Sequence, residues 1–179
     1  MPARTHAGKV LLAHPALEDT HFRRSVVLLH AHDLKEGAFG VILNRPLLRE
    51  LGELESRFRK SPLAAVALFE GGPVQTDRLA LGSWELTPKG LDNVHFGVDE
   101  QDAARLLGHK SARLRAYVGH AGWSPGQLED ELRKGAWVVA PLTTEAETLS
   151  GEDLWRCWLR RHCPELGLVA DAPGDLGLN

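Results

Sequence analysis

The chain has 179 residues, 43% of them hydrophobic and 25% charged, a composition that suits one globular domain and argues against disorder or a collagen-like repeat. The longest unbroken apolar run, 63–69, falls far short of the ~20 residues of a membrane helix, and residues 1–9 lack the apolar stretch of a secretory signal, so a cytoplasmic protein is expected. Twenty-four acidic against 21 basic residues give a net charge of −3, which provides no general field for nucleic acid.

In chain order, residues 8–13, 25–31 and 38–43 read as strands. Residues 26–29 and 41–43 are apolar on both faces, as interior strands covered on both sides are. The short polar stretch 32–37 makes the second and third an antiparallel hairpin. Leu47, Leu51, Leu54 and Phe58 recur at helical spacing, so a short helix is expected over 47–59, ended by Pro62. Residues 64–69 read as another buried strand, stopped by Gly71-Gly72-Pro73. Residues 78–86 and 91–96 form a further strand pair, turned by Thr87-Pro88-Lys89-Gly90.

A helix over 99–107 and a strand over 113–119 follow. Ser124, Pro125 and Gln127 match the N-cap, N1 and N3 positions of a capping box. That helix runs to Lys134 and stops at Gly135. Residues 136–142 give a last strand. Ser150 begins the final helix, with Glu152 and Asp153 in its first turn. Leu154, Trp155, Trp158 and Leu159 form its apolar stripe, and Pro164 halts it. Strand clusters with short turns dominate early, so the fold class is α+β. The expected layout is a tail at 1–7, one domain over 8–166 and a tail at 167–179.

The order of motifs carries a resemblance. Gly8-Lys9-Val10-Leu11-Leu12-Ala13, then Pro15-Ala16-Leu17, Asp19, Phe22 and the strand from Ser25 resemble the opening of the YqgE/AlgH family. So do Gly40 through Asn44-Arg45-Pro46, Gly71-Gly72-Pro73-Val74 with Asp77-Arg78, and Gly119 through Ala121-Gly122-Trp123 to Gly126-Gln127-Leu128-Glu129. Two positions depart: His14 stands where methionine is expected, and His120 where an aromatic is common. The resemblance implies a single compact domain with a mostly antiparallel, bifurcated and partly barrel-like sheet flanked by helices. It implies no catalytic residues, and it attaches a transcriptional-regulator label to some members.

Four residue patterns invite a chemical reading. Gly122-Trp123-Ser124-Pro125-Gly126 matches the nucleophile elbow of hydrolases, with Asp153 and His162 following in order. The elbow needs the N–H after its serine, and Pro125 has none; losing one oxyanion donor costs about 100- to 1000-fold in turnover. Ser124 as a helix cap accounts for the same residues. His30 and His32 share one strand face, but Asp33 follows too soon for a metallo-hydrolase motif. No metal is expected there.

Asn44, Arg45, Asp77 and Arg78 place guanidinium groups beside the Gly71-Gly72 turn, whose N–H groups could join an anion pocket. The structural alternative has Asn44 satisfying a turn and Arg45 or Arg78 pairing with Asp19 or Asp77. No phosphate loop and no dinucleotide fingerprint occurs, so no cofactor is expected. Cys157 and Cys163 read as free thiols. The five tryptophans read first as core; an exposed remainder would mark a partner or dimer surface.

These readings favour a non-enzymatic regulatory or partner-binding protein. The alternative is a small-molecule or anion binder, or a hydrolase, using Asn44, Arg45, Gly71, Gly72, Asp77 and Arg78. Direct DNA recognition is disfavoured because the helix after Gly126 carries Glu129, Asp130 and Glu131.

Overall fold

The computed structural model describes residues 5–88 and 90–171. Residues 1–4, Lys89 in the expected turn and most of the 167–179 tail therefore lie outside the described residues. The chain begins with β1 (Lys9–Ala13), β2 (Val26–Asp33), β3 (Gly37–Ile42) and β4 (Pro46–Glu50). A short α1 (Leu51–Leu54) and two 3-10 turns lead into β5 (Ala67–Glu70), β6 (Val74–Thr87), β7 (Gly90–Phe96) and α2 (Glu100–Leu106). Then come β8 (Ala112–Trp123), α3 (Gln127–Arg133), β9 (Trp137–Pro141), α4 (Gly151–His162) and α5 (Pro164–Ala170).

The strands form one sheet in the order β4-β5-β8-β3-β2-β1-β9, from which β6 and β7 branch at β8. All pairings are antiparallel except β5 with β8. The architecture is α+β, and the bifurcation lies in β8. Its residues Ala116, Tyr117 and Val118 sit between β5 and β6, whereas Ala121, Gly122 and Trp123 pair with β3. The sheet stays open, with β4 and β9 at the ends of its path, so the barrel does not close.

The fork requires backbone to cross backbone. A Cβ on Gly119 would lie 2.2 Å from the Gly72 carbonyl oxygen, and one on Gly72 would lie 2.3 Å from the His120 carbonyl. Glycine alone allows that approach. The Gly71 N–H donates to the Val118 carbonyl at 2.8 Å, and the Gly71 carbonyl accepts from the Ile42 N–H at 2.9 Å.

Three hydrophobic clusters hold the layers. Val10, Leu12, Val26, Leu28 and Val41 on one sheet face pack against Trp155, Trp158 and Leu159 of α4. The alternate residues Leu11, Val27, Leu29 and Ile42 pack on the other face against Trp123, Leu128 and Trp137. Leu51, Phe58, Leu63, Leu68, Leu81 and Ala103 form the third, under α1 and α2. Each fully buried side chain of this kind stabilises by roughly 1.5–3 kcal/mol. The strands covered on both faces and the α4 stripe are as the apolar patterns predict.

Elsewhere the structure departs from the sequence reading. The helix over 47–59 splits into β4, α1 and a 3-10 turn, because Pro46 and Glu50 pair with Phe69 and Ala67 of β5. Ser124 does not cap α3: the N-cap is Gly126 in a left-handed conformation, and Ser124 instead donates its N–H to Gln127 Oε1 at 3.0 Å. The strand expected over 113–119 runs on to Trp123. Pro164 ends α4 as expected, yet also supplies the first residue of α5, whose Ala170 is fully buried.

Candidate functional site

Asn44, 3% exposed, stands at the end of β3 and makes three side-chain hydrogen bonds. Its Oδ1 accepts from the Val26 N–H at 2.9 Å, and its Nδ2 donates to the carbonyls of Arg24 and Gly151 at 3.0 and 2.8 Å. Arg45 donates to Glu70 and to the Arg23 carbonyl, both at 3.3 Å. Glu70, not Asp19 or Asp77, is thus its partner. Asp19 instead receives the N–H groups of His21 and Phe22. Gly71 and Gly72 are committed to the crossing with β8. Asp77 and Arg78 lie exposed on β6, between the Val74–His120 and Leu79–Val118 pairs where the register shifts. No hydrogen bond or ion pair among the described residues joins them to Asn44 or Arg45.

The histidines diverge. His30 sits in a register shift of β2 against β3, between Leu29 and Ala31. His30 turns into an aromatic group with Phe39 and Phe96, at ring distances of 6.3 and 5.0 Å, and Phe39 meets the His120 ring at a tilt, 4.7 Å away. Burial, assisted by the charge of His95, pushes the His30 pKa down to about 4. Its Nε2 has no partner among the described residues. His32 takes the opposite course: Nδ1 accepts from the His6 N–H at 3.0 Å, and Nε2 lies 2.6 Å from Glu129 Oε1. That fixes the hydrogen on Nε2. Among the described residues, no group of three or more His, Cys, Asp or Glu could hold a metal ion.

Trp123 of the elbow-like motif is structural. Its indole N–H and that of Trp137 both donate to Glu131 Oε2, at 2.9 and 2.8 Å, while Phe22 packs against both rings. Arg115 plays a similar part, lying 4.3 Å from the Phe69 ring centroid and 4.7 Å from that of Trp84. It donates to the carbonyls of Leu43 and Ala146. Neither Glu131 nor Arg115 could be singled out in the sequence, because their partners are distant or aromatic.

Two features among the described residues stand apart from the packed core. One is a groove of about 490 Å³ between the β6–β7 hairpin and α2, lined by Ser83, His95, Phe96, Val98, Asp99 and Asp102 with Arg105 and Leu106. The Asp102 N–H holds the Asp99 carboxyl below its usual range. The other is the arch of β4. Between its end pairs with β5, Leu47, Leu48 and Arg49 stand opposite Leu68 alone. Leu48 sits at the crest with φ of 53° and 91% exposure. Leu47 and Leu54 beside it are exposed large hydrophobics too. The helical reading of 47–59 hid this knob, since it placed Leu47 and Leu54 on a buried stripe.

The comparisons agree with this architecture. A family model described as AlgH-like matches residues 10–166. The UPF0301 protein SCO2948 of Streptomyces coelicolor is 41% identical over 184 residues, covering 96% of this chain and 94% of the relative. A UPF0301 protein of Thermobifida fusca is 37% identical over 187 residues, covering 96% and 94%. Among solved structures, protein DIP2367 from Corynebacterium diphtheriae superposes with a TM-score of 0.67 at 28% identity, over 93% of this chain and 92% of that one. The AlgH protein from Pseudomonas aeruginosa shares the fold with a TM-score of 0.67 at 24% identity, over 98% of each. Among the described residues no helix is long and apolar enough to cross a membrane. With a matching family model over most of its length and close relatives at this identity, the chain belongs to the AlgH-like family.

Proposed function

We propose that this chain is a non-enzymatic, partner-binding protein of the cytoplasm with a regulatory role, and that it meets its partner through the β4 arch. One observation carries the reading. Leu48 is a bulky residue in the left-handed region, 91% exposed, in a segment otherwise held at both ends. That conformation costs roughly 1–2 kcal/mol for a non-glycine residue, and such strain persists at places where function requires it. The arch also breaks the edge ladder, which discourages indiscriminate strand pairing. Arg49, Glu50, Glu53, Glu55 and Arg57 are the charged residues of both signs in the same segment as the leucines, so the fitting partner is a protein offering an apolar pocket with a rim of mixed charge. The free thiols Cys157 and Cys163 suit a reducing compartment.

The anion-pocket reading draws less support. Asn44, Arg45 and Gly71 already use their polar groups within the fold, and Gly72 is pressed against the β8 backbone. The test is a phage-displayed peptide selection on the purified chain, followed by binding to the Leu48→Asp variant. Enriched peptides that lose binding on Leu48→Asp, with the fold intact by circular dichroism, support the proposal. No enrichment, or peptides that bind both proteins equally, overturns it.

A further inference from the structure

We propose that the groove between the β6–β7 hairpin and α2 binds a small organic cation, an amine with an apolar body. The site is separate from the β4 arch and does not depend on the partner reading. Its volume of about 490 Å³ lies within the range of roughly 300–1,000 Å³ typical of small-molecule sites.

The floor is polar and unused. Ser83 is 3% exposed, yet it lines the groove and its hydroxyl makes no hydrogen bond among the described residues. The hydroxyl opens onto the groove, where it can donate to or accept from a ligand group. His95 pairs directly with Ser83 across the antiparallel ladder, so the two side chains share one face of the sheet. Together they offer a hydroxyl and an imidazole to the polar end of a guest.

The walls choose the sign of charge. Asp99 and Asp102 stand on one side, and Arg105 is tied to Asp102 at 2.6 Å. With the His95 imidazole neutral, two carboxylates against one guanidinium leave the groove negative. An anion would find the amino end of α2 already taken, because the Asp99 carboxylate accepts the Asp102 N–H at 2.9 Å. Phe96, Val98 and Leu106 supply apolar surface for the body of the ligand. The rim between groove and sheet is fixed, since the N–H groups of Gly97 and Val98 both donate to the Leu81 carbonyl, at 2.9 and 3.1 Å. A site held this firmly binds without first ordering its own loop.

The test uses three probes with one body and different end groups: 2-phenylethylamine, 2-phenylethanol and phenylacetate. Each is titrated into the full chain while backbone amide shifts are followed by NMR. The amine should give saturable shifts at Ser83, His95, Gly97 and Val98, and should bind about tenfold more tightly than the alcohol. Asp102→Asn should weaken the amine about tenfold and leave the alcohol unchanged, whereas Arg105→Gln should strengthen the amine. A merely structural role for Asp102 and Arg105 would not move the amine in opposite directions. Phenylacetate binding as tightly as the amine, shifts mapping elsewhere, or no saturable shift with any probe overturns the proposal.

Discussion

Asn44 and Gly151 hold each other twice: the Gly151 N–H donates to the Asn44 carbonyl at 3.0 Å, and Asn44 Nδ2 donates to the Gly151 carbonyl at 2.8 Å. The double contact fastens the end of β3 to the first turn of α4, whose tryptophans fill the main core. Asn44→Ala strands the Val26 N–H and two carbonyls in a buried corner. It should cost about 2–4 kcal/mol, read as a lower urea midpoint at unchanged slope. A loss below about 1 kcal/mol would show that water replaces the side chain without penalty.

Acid should loosen the fold through His30. Its folded pKa, about 4, lies below the unfolded value of 6.5. The unfolded chain therefore binds the proton first, and stability falls as pH drops from 6.5 towards 4. The loss reaches about 3 kcal/mol at the lower end. Burial also holds His120 and His162 below their ordinary value, with the same sign. Thermal melts between pH 7 and pH 4 should show the decline, and His30→Phe should flatten much of it. A slope that survives that substitution in full assigns the effect to other groups.

Two glycines with similar backbones should respond differently. Gly119 and Gly126 have φ of 72° and 78°, but a Cβ on Gly119 meets the Gly72 carbonyl at 2.2 Å whereas one on Gly126 meets nothing within 4 Å. Gly126→Ala should cost only the left-handed penalty, roughly 1–2 kcal/mol. Gly119→Ala adds a clash that moves backbone, and should cost at least about 3 kcal/mol or abolish folding. Equal melting temperatures for the two variants would contradict the crossing.

Leu48 gives a prediction of the opposite sign. Asparagine tolerates the left-handed region better than leucine, so Leu48→Asn should stabilise the chain by up to about 1 kcal/mol while weakening peptide capture. Destabilisation would mean that Leu48 supports the fold, and the arch would lose its claim to be an interface.

Much of the fold is legible because burial leaves a periodic trace. Val26 through Leu29 and the stripe of Leu154, Trp155, Trp158 and Leu159 announce their surroundings directly. Residues 47–59 mislead because Leu47 and Leu54 repeat at helical spacing while facing outward, and only the distant β5 decides the matter. Ser124 misleads because the first turn of α3 is set by the left-handed Gly126. The polar residues are least legible of all. Arg45 finds Glu70, Asn44 finds Gly151, and Ser83 meets His95 only once β6 and β7 are in register. Such pairings belong to the topology, which no local window contains.

The pairing of β1 with β9 bears on how the molecule is made. Val10, Leu11 and Leu12 lie fully buried, with Ala140, Val139 and Val138 of β9 beside them. During synthesis the first strand emerges long before its neighbour, so one side of it stays bare until some 130 further residues have left the ribosome. A nascent chain stalled short of Trp137 carries that open border, together with a sheet face awaiting Trp155 and Trp158, and is the species on which chaperones would act.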